Sequence, residues 1–431
     1  MPGNRRLTPE SKYELLRDIS FRIRETFDLE EILNHLLDTV RTIMPYDAAG
    51  IFVLNKDFRH TRRRNPETLI AGIVQRGFDK RPPHTDLMLT EAKGIVGFVI
   101  STGECVVISD VRLDPRYIEG RSQTRSEIAV PLIRDGRAYG ALNLESDTYR
   151  AFDESDLEIL RFLADAASMS IEKSILHDQI LEKIWIQDQL SIAREVQERL
   201  LPTEPPRVPG YDIAGVCLPT YEIGGDYFDY IPLEQGKIGI VVADVAGNGI
   251  PAALLMTAFR TLLRTSAKSH RDPSTLLEIM NRAIPGFARK RDFITVFYGI
   301  LDPQAHKLVY ANAGHNLPLI IRASGLIESL PLFGPALNIV EDPAHKTGRI
   351  SLEAGDHVVI YTDGIVEVFN RQGKEFGRER LEGTIRETAG FPARRIIDRI
   401  VSATAEFAGA TTSADDSTIV VVKRKSIKPS E

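Results

Sequence analysis

Four aspartate-bearing turns in the second half of this 431-residue chain carry the residue types best suited to chemistry. They read Gly224-Gly225-Asp226-Tyr227-Phe228-Asp229, Asp244-Val245-Ala246-Gly247-Asn248-Gly249, Tyr361-Thr362-Asp363-Gly364 and Asp415-Asp416-Ser417-Thr418. Each acid falls at the end of, or just before, a run of β-branched and aromatic residues, where a strand stops or starts. Carboxylates gathered on strand ends repel one another and need cations to stay ionised. Hard oxygen ligands of this kind suit Mg²⁺ or Mn²⁺ better than zinc, and such a site is adapted to handling phosphate. A lone Asp-Gly is usually only a turn. The inference rests on several acids at strand termini within one domain.

The positioning elements follow from the pattern around these turns. Ile238 to Val242 is a short apolar run that delivers Asp244 to its end. Gly247 and Gly249 then let the backbone turn tightly before a helix beginning at Pro251. Strands are predicted at Tyr211 to Leu218, Lys237 to Val242, Ile294 to Leu301, Lys307 to Asn312, Leu317 to Ile321, His357 to Tyr361 and Thr418 to Lys423. Helices are predicted at Pro251 to Lys268 and Ser274 to Arg289, with a further pair between Arg378 and Phe407. Strand groups separated by helix pairs predict an α+β domain, a β-sandwich with helices over its outer faces.

Upstream the pattern differs. Apolar residues recur at helical spacing from Tyr13 to Met44, first Leu15, Ile19, Ile23 and Phe27, then Ile32, Leu36, Leu37 and Val40. Asp28 is placed to cap the second of these helices, with an acidic first turn behind it. Strand-like runs follow at Ala49 to Leu54, Leu69 to Val74, Cys105 to Ile108, Ile128 to Ile133 and Ala138 to Leu144, the last two joined by an Arg134-Asp135-Gly136-Arg137 turn. A long helix starts near Asp153. This segment resembles a GAF domain, a small α/β sensory module, through Gly94-Ile95-Val96-Gly97, Ala129-Val130-Pro131-Leu132, Gly140-Ala141-Leu142-Asn143-Leu144 and Phe152-Asp153-Glu154-Ser155-Asp156-Leu157. Cyclic-nucleotide-binding members pair Asn with Lys, and here Leu144 follows Asn143. Phe152 and Asp156 are therefore read as a hydrophobic staple and first-turn acid at a helix start.

From Ile171 to Leu201 the helical pattern runs on without Gly or Pro. Leu176, Ile180, Ile184, Leu190, Ala193, Val196 and Leu200 form an imperfect stripe, with Trp185 and Ile186 off it. An isolated helix cannot bury such a stripe, which predicts pairing with a second copy or packing within the chain, the homodimer being the reading preferred. Leu201-Pro202-Thr203-Glu204-Pro205-Pro206 breaks the helix. The expected organisation is a frayed terminus (1–12), a GAF-like domain (13–170), a linker helix (171–203), a catalytic domain (204–425) and a tail (426–431).

Composition excludes several classes. A formal net charge of -6 gives no basic stripe for nucleic acid, and Arg62-Arg63-Arg64 reads as a solvated loop. Cys105 and Cys217 are the chain's 2 cysteines and occur in unrelated contexts, so neither a disulfide nor a cysteine metal site is expected. The absence of a signal peptide or a membrane-length apolar run leads to the expectation of a soluble cytoplasmic protein.

The order Gly-Gly-Asp-Tyr-Phe-Asp, Asp-x-x-Gly-x-Gly, Thr-Asp-Gly, Asp-Asp-x-Thr resembles the PPM superfamily of metal-dependent Ser/Thr phosphatases. More narrowly it resembles the bacterial branch of stage II sporulation phosphatase E and the stress-response sigma-factor regulators. Ala193-Arg194-Glu195-Val196-Gln197-Glu198-Arg199-Leu200-Leu201-Pro202 and Tyr310-Ala311-Asn312-Ala313-Gly314-His315-Asn316 match that branch too. The resemblance implies a β-sandwich holding two divalent cations, Mn²⁺ or Mg²⁺. Asp244 would bridge them, and the carbonyl of Val245 would replace a glycine carbonyl. Asp363 and Asp415 would complete one ion, and Asp226 would hold the other, partly through water. Asp416 would orient the ligands or share the role of Asp415. The implied reaction is direct attack of a metal-bridging hydroxide on phosphorus. The implied substrate is a phosphorylated anti-sigma-factor antagonist, a small STAS-type protein, with the GAF-like domain acting through the linker helix. Two departures from the eukaryotic members stand out, both shared with the bacterial branch: Ala246 occupies the place of a histidine proposed there as general acid, and the stretch where they carry an arginine offers Tyr221 and no Arg. His315 is the substitute acid to test, although a histidine in that setting is otherwise a hydrogen-bonded loop residue. The rival readings are a pseudophosphatase and a ligand-sensing dimer that acts by binding proteins.

Overall fold

The computed structural model describes residues 28–54, 70–78, 93–331, 334–388, 390–409 and 415–426. The helical segment expected around Leu15 to Phe27, the Arg62-Arg63-Arg64 run, residues 1–12 and the tail from 427 onward lie outside them. The chain divides into two compact units, Met1–Ile186 and Gln187–Glu431.

In the first unit, α1 (Leu29–Ile43) begins where the acidic turn predicts. The Asp28 carboxylate accepts from the backbone N–H of Glu30 at 2.9 Å and of Glu31 at 3.1 Å, and Leu33, Leu36, Leu37 and Val40 turn inward. Strands β1 (Ala48–Leu54), β2 (Ile70–Arg76), β3 (Val106–Ile108), β4 (Ser126–Arg134) and β5 (Arg137–Ser146) form one sheet in the order β2-β1-β5-β4-β3. Asp135 and Gly136 join β4 to β5 with φ of 50° and 74°, the two-residue turn whose twist matches that of the strands. Helix α1 and the first turns of α3 (Glu154–Glu198) share one core with the sheet, and α2 (Gly94–Thr102), which lies between β2 and β3 in the chain, packs in another.

The start of α3 is a reciprocal cap. Asp153 accepts from the N–H of Ser155 and Asp156, while Asp156 accepts from the N–H of Asp153 at 3.0 Å. Phe152 is buried beside it. Helix α3 then runs unbroken for 45 residues, and residue 171 lies within it. Among the described residues no helix is long and apolar enough to cross a membrane.

The second unit is a sandwich of two five-stranded sheets. One runs β13-β10-β9-β8-β7, using β7 (Tyr227–Pro232), β8 (Ile238–Val245), β9 (Ile294–Asp302), β10 (Lys307–Ala313) and β13 (Gly348–Ser351). The other runs β12-β11-β14-β15-β6, using β6 (Tyr211–Leu218), β11 (Leu319–Ile321), β12 (Ile327–Ser329), β14 (His357–Tyr361) and β15 (Ser417–Arg424). Phe228, Tyr230, Phe297, Tyr310, Val358 and Val420 fill the space between the sheets. Alternate residues on the outer faces pack under helices: α4 (Ile250–Ala267) and α5 (Pro273–Ala283) on the first sheet, α7 (Gly377–Glu387) and α8 (Ala393–Ala408) on the second. Between β14 and α7 lies the single turn α6 (Asp363–Val366). Strands β7, β12 and β13 and helix α2 have no counterpart among the predicted elements; in β7, Asp229 interrupts the apolar run, and Gly224, Gly225 and Asp226 precede it.

Candidate metal centre

Each sheet delivers acids from one end of the sandwich. Strands β7 and β8 are antiparallel neighbours with Tyr227 opposite Ala243, so Asp226, just before β7, lies beside Asp244, near the end of β8. In the second sheet Tyr361 at the end of β14 faces Ile419 near the start of β15. Asp363 and the Asp415-Asp416 pair are therefore adjacent in the same way. Strand β8 is longer than the predicted run ending at Val242. Pairing with β9 carries it through Asp244, opposite Thr295, to Val245.

Hydrogen bonds tie the two ends together. The Asp416 carboxylate accepts from the N–H of Thr220 and of Gly225, both at 2.8 Å. Thr362 donates its hydroxyl to Asp226 at 2.8 Å and accepts from the N–H of Thr418 at 2.9 Å. The Thr220 hydroxyl donates to the carbonyl of Asp415 at 2.5 Å. Close approach is what the glycines supply: a Cβ on Gly364 would lie 1.8 Å from the Asp416 carbonyl oxygen, and one on Gly225 would lie 2.8 Å from the Val245 carbonyl oxygen.

The resulting electrostatics are one-sided. Asp226 is buried, and burial followed by the charge of Asp244 pushes its carboxyl well above the ordinary range. Asp244 is raised to about 7 by burial and then by Asp363, Asp415, Asp416 and Glu367. Burial and Asp415 raise Asp363, and burial above all raises Asp415. Every charged neighbour that weighs most on Asp244 is thus an acid. Among the described residues no three His, Cys, Asp or Glu side chains are drawn close enough to cage one ion. The oxygen-only donors and the uncompensated negative charge fit hard divalent cations. Both oxygens of Asp416 are engaged by backbone donors, whereas Asp415 is exposed and accepts from the Asp416 N–H at 2.9 Å.

Other expectations are settled by burial. His315 is buried and its pKa is lowered to about 3 by desolvation. Its ring hydrogen-bonds the Thr295 hydroxyl at 2.9 Å, and its backbone N–H donates to the side-chain oxygen of Asn312 at 2.8 Å. A neutral, enclosed imidazole braces the β9–β10 edge and is unsuited to act as a general acid. Tyr221 is largely exposed. Asp229, the second acid of the first turn, serves the fold: it is buried, accepts from the Tyr227 hydroxyl and the Tyr230 N–H, and pairs with Arg264 of α4.

Two contributors escape sequence reasoning. Thr362 carries no local signal beyond its place in the turn, because its link to Asp226 spans 136 positions. Gln197, near the end of α3, clamps Gly224 at both ends of its peptide unit. Its amide donates to the Gly224 carbonyl at 2.7 Å and accepts from the Gly224 N–H at 3.1 Å. The only signal was its place inside the Ala193 to Pro202 motif. Arg260 of α4 adds a bond to the Leu200 carbonyl at 2.8 Å.

Comparison with known proteins agrees with this architecture. Residues 234–425 match the family described as Stage II sporulation protein E (SpoIIE), and residues 28–171 match the GAF domain. The chain is 30% identical over 241 residues to phosphoserine phosphatase RsbU of Bacillus subtilis, covering 56% of this chain and 71% of that protein. It is 25% identical over 189 residues to phosphoserine phosphatase RsbP of the same organism, covering 43% of this chain and 47% of that one. The PP2C domain of SiaA from Pseudomonas aeruginosa shares the fold, with a TM-score of 0.51 at 22% identity over 56% of this chain and 98% of that domain.

Two outcomes are expected from this geometry. A carboxyl that holds its proton more tightly folded than unfolded favours the folded state below the ordinary carboxylate pKa of 3.8, and that advantage is lost as pH rises through about 7. In chelator near pH 8, Asp244→Asn should therefore be more stable than wild type by roughly 1–3 kcal/mol, with the gap narrowing as pH falls below about 7 and closing only toward 3.8; thermal melts with no such gap would refute the repulsion. Gln197→Ala removes two hydrogen bonds worth about 0.5–1.5 kcal/mol each. It should raise the Mn²⁺ concentration needed for half-maximal phosphate release several-fold, and an unchanged titration curve would show that the clamp is idle.

Proposed function

This chain belongs to the SpoIIE family and is a serine/threonine protein phosphatase, and from that premise we propose that Asp226, Asp244, Asp363 and Asp415 hold two divalent cations, Mn²⁺ or Mg²⁺. The carbonyl of Val245 adds an oxygen, and Asp416 orients the turns. The observation that carries this reading is the acid-only surroundings of Asp244. Bound cations would activate water for in-line attack on phosphorus and neutralise the phosphoryl oxygens. The chain's own part is to hold these carboxylates at fixed separations, Asp226 by Thr362 and the Gly225 turn by Asp416. With Ala246 in place of a histidine and His315 neutral, the leaving serine takes its proton from water in the site.

The substrate in this reading is a phosphorylated STAS-type anti-sigma-factor antagonist. Its support is the likeness to two phosphoserine phosphatases and the sigma-factor-regulator motifs. The GAF unit receives the signal, and α3 transmits it, ending in the Gln197 clamp on Gly224. The same helix joins two copies of the chain. Leu176, Ile180 and Ile184 are all more than half exposed, at 52–56%, a stripe that a second helix would cover.

Hydrolysis of p-nitrophenyl phosphate with Mn²⁺ tests the chemistry. Wild type should be active, and Asp363→Ala and Asp244→Ala should lose at least about a hundredfold in kcat/KM, beyond the usual cost of disturbing a ligand's support. A wild-type dimer with no activity would favour the pseudophosphatase. For the dimer, Ile180→Lys combined with Ile184→Lys should convert a sedimenting dimer to monomer. A wild-type monomer, or a variant that still sediments as a dimer, would remove the helix from that role.

A further inference from the structure

Beside the acid cluster lies a groove of about 390 Å³ whose lining carries no charged side chain. Its size falls within the range of ligand sites, about 300–1,000 Å³. One wall is the last part of α8, with Val401, Ala405 and Ala408; the other is the chain leaving β6, with Leu218 and Thr220; Ile365 and Val368 are buried beneath. Leu218 is 40% exposed although it is the last residue of strand β6 of the sandwich.

The groove shares its rim with the acids. Thr220, in its lining, donates to the Asp415 carbonyl and holds Asp416 through its N–H. Ser417, also in the lining, donates to the carbonyl of Gly364 at 2.8 Å. Ile365 is two residues from Asp363. A small phosphate ester engages the acid end without reaching this surface. A polypeptide whose phosphorylated side chain sits there must continue past it, advancing about 3.3 Å per residue when extended. The groove therefore meets side chains about one to three residues from the phosphorylated one.

We propose that this groove seats an aliphatic or aromatic side chain flanking the phosphoserine of a protein substrate, and so selects among phosphoproteins. The inference rests on the phosphatase reading above and adds a specificity subsite to it. Two features of the surroundings set the chemistry of the occupant. The apolar lining rewards burial of a hydrocarbon side chain and offers a charged one no partner. The neighbouring carboxylates disfavour acidic residues at the same positions.

The test uses the full chain with Mn²⁺ and a set of phosphoserine peptides. Each carries one leucine at a position up to three residues from the phosphoserine, in an otherwise serine and glycine background. Wild type should prefer one leucine position over the leucine-free peptide by about tenfold in kcat/KM, the discrimination typical of an apolar pocket. Ala405→Glu, which adds a charge on an exposed helical position at the rim, should bring that ratio close to one. Ala405→Gln, similar in size but neutral, should retain most of it. Equal rates on every peptide in a wild type active on p-nitrophenyl phosphate would overturn the subsite. So would a leucine preference identical in all three proteins, or parallel loss of peptide and p-nitrophenyl phosphate turnover in Ala405→Glu. Failure of wild type on p-nitrophenyl phosphate would instead overturn the phosphatase reading itself.

Discussion

The Asp416 carboxylate is the constraint on which the catalytic unit depends. It sits on the lead into β15 of one sheet and grips the N–H of Gly225, which introduces β7 of the other. Its second oxygen holds Thr220 at the exit of β6. Two sheets of a sandwich touch through apolar side chains, and that contact leaves their ends free to splay. A charged acceptor bridging two backbone donors fixes the separation at one end. Gly224 and Gly364 follow from the same demand, since a Cβ at either would collide with Asp416 itself.

That closure works against the electrostatics of what it encloses. Asp226, Asp244, Asp363 and Asp415 are each pushed upward by burial, and their neighbours reinforce one another. The cores on either side offset this cost: one between the sheets and one under each helical layer. The ion pair of Asp229 with Arg264 shows the contrast. An acid given a cation by the fold becomes a brace between β7 and α4, while acids denied one are left available for chemistry.

Much of this was legible in the sequence, for a local reason. Strand ends marked by an acid, with glycines close by in three of the turns, announce both the element and the acid it carries, so β14 matches its predicted limits and each turn brings at least one acid to the same end of the sandwich. The sandwich with outer helices followed from strand groups separated by helix pairs. What stayed hidden depends on distant partners. The extension of β8 through Asp244 comes from pairing with β9. The role of Thr362 depends on a residue 136 positions away, and Gln197 looks like any polar residue on a helix until Gly224 is beside it. His315 reads as a possible acid in sequence because burial, which makes it neutral, is not a local property.

The acid-only environment of Asp244 bears on more than turnover. A folded state that carries unbalanced charge is stabilised by whatever binds it and not the unfolded chain. Cation supply would then govern how long each molecule survives as well as how fast it works. In a cell short of divalent metal, the chain would open more often and be cleared by proteases sooner. A response that ends with phosphate removal would fade through loss of the protein, with no change in its synthesis.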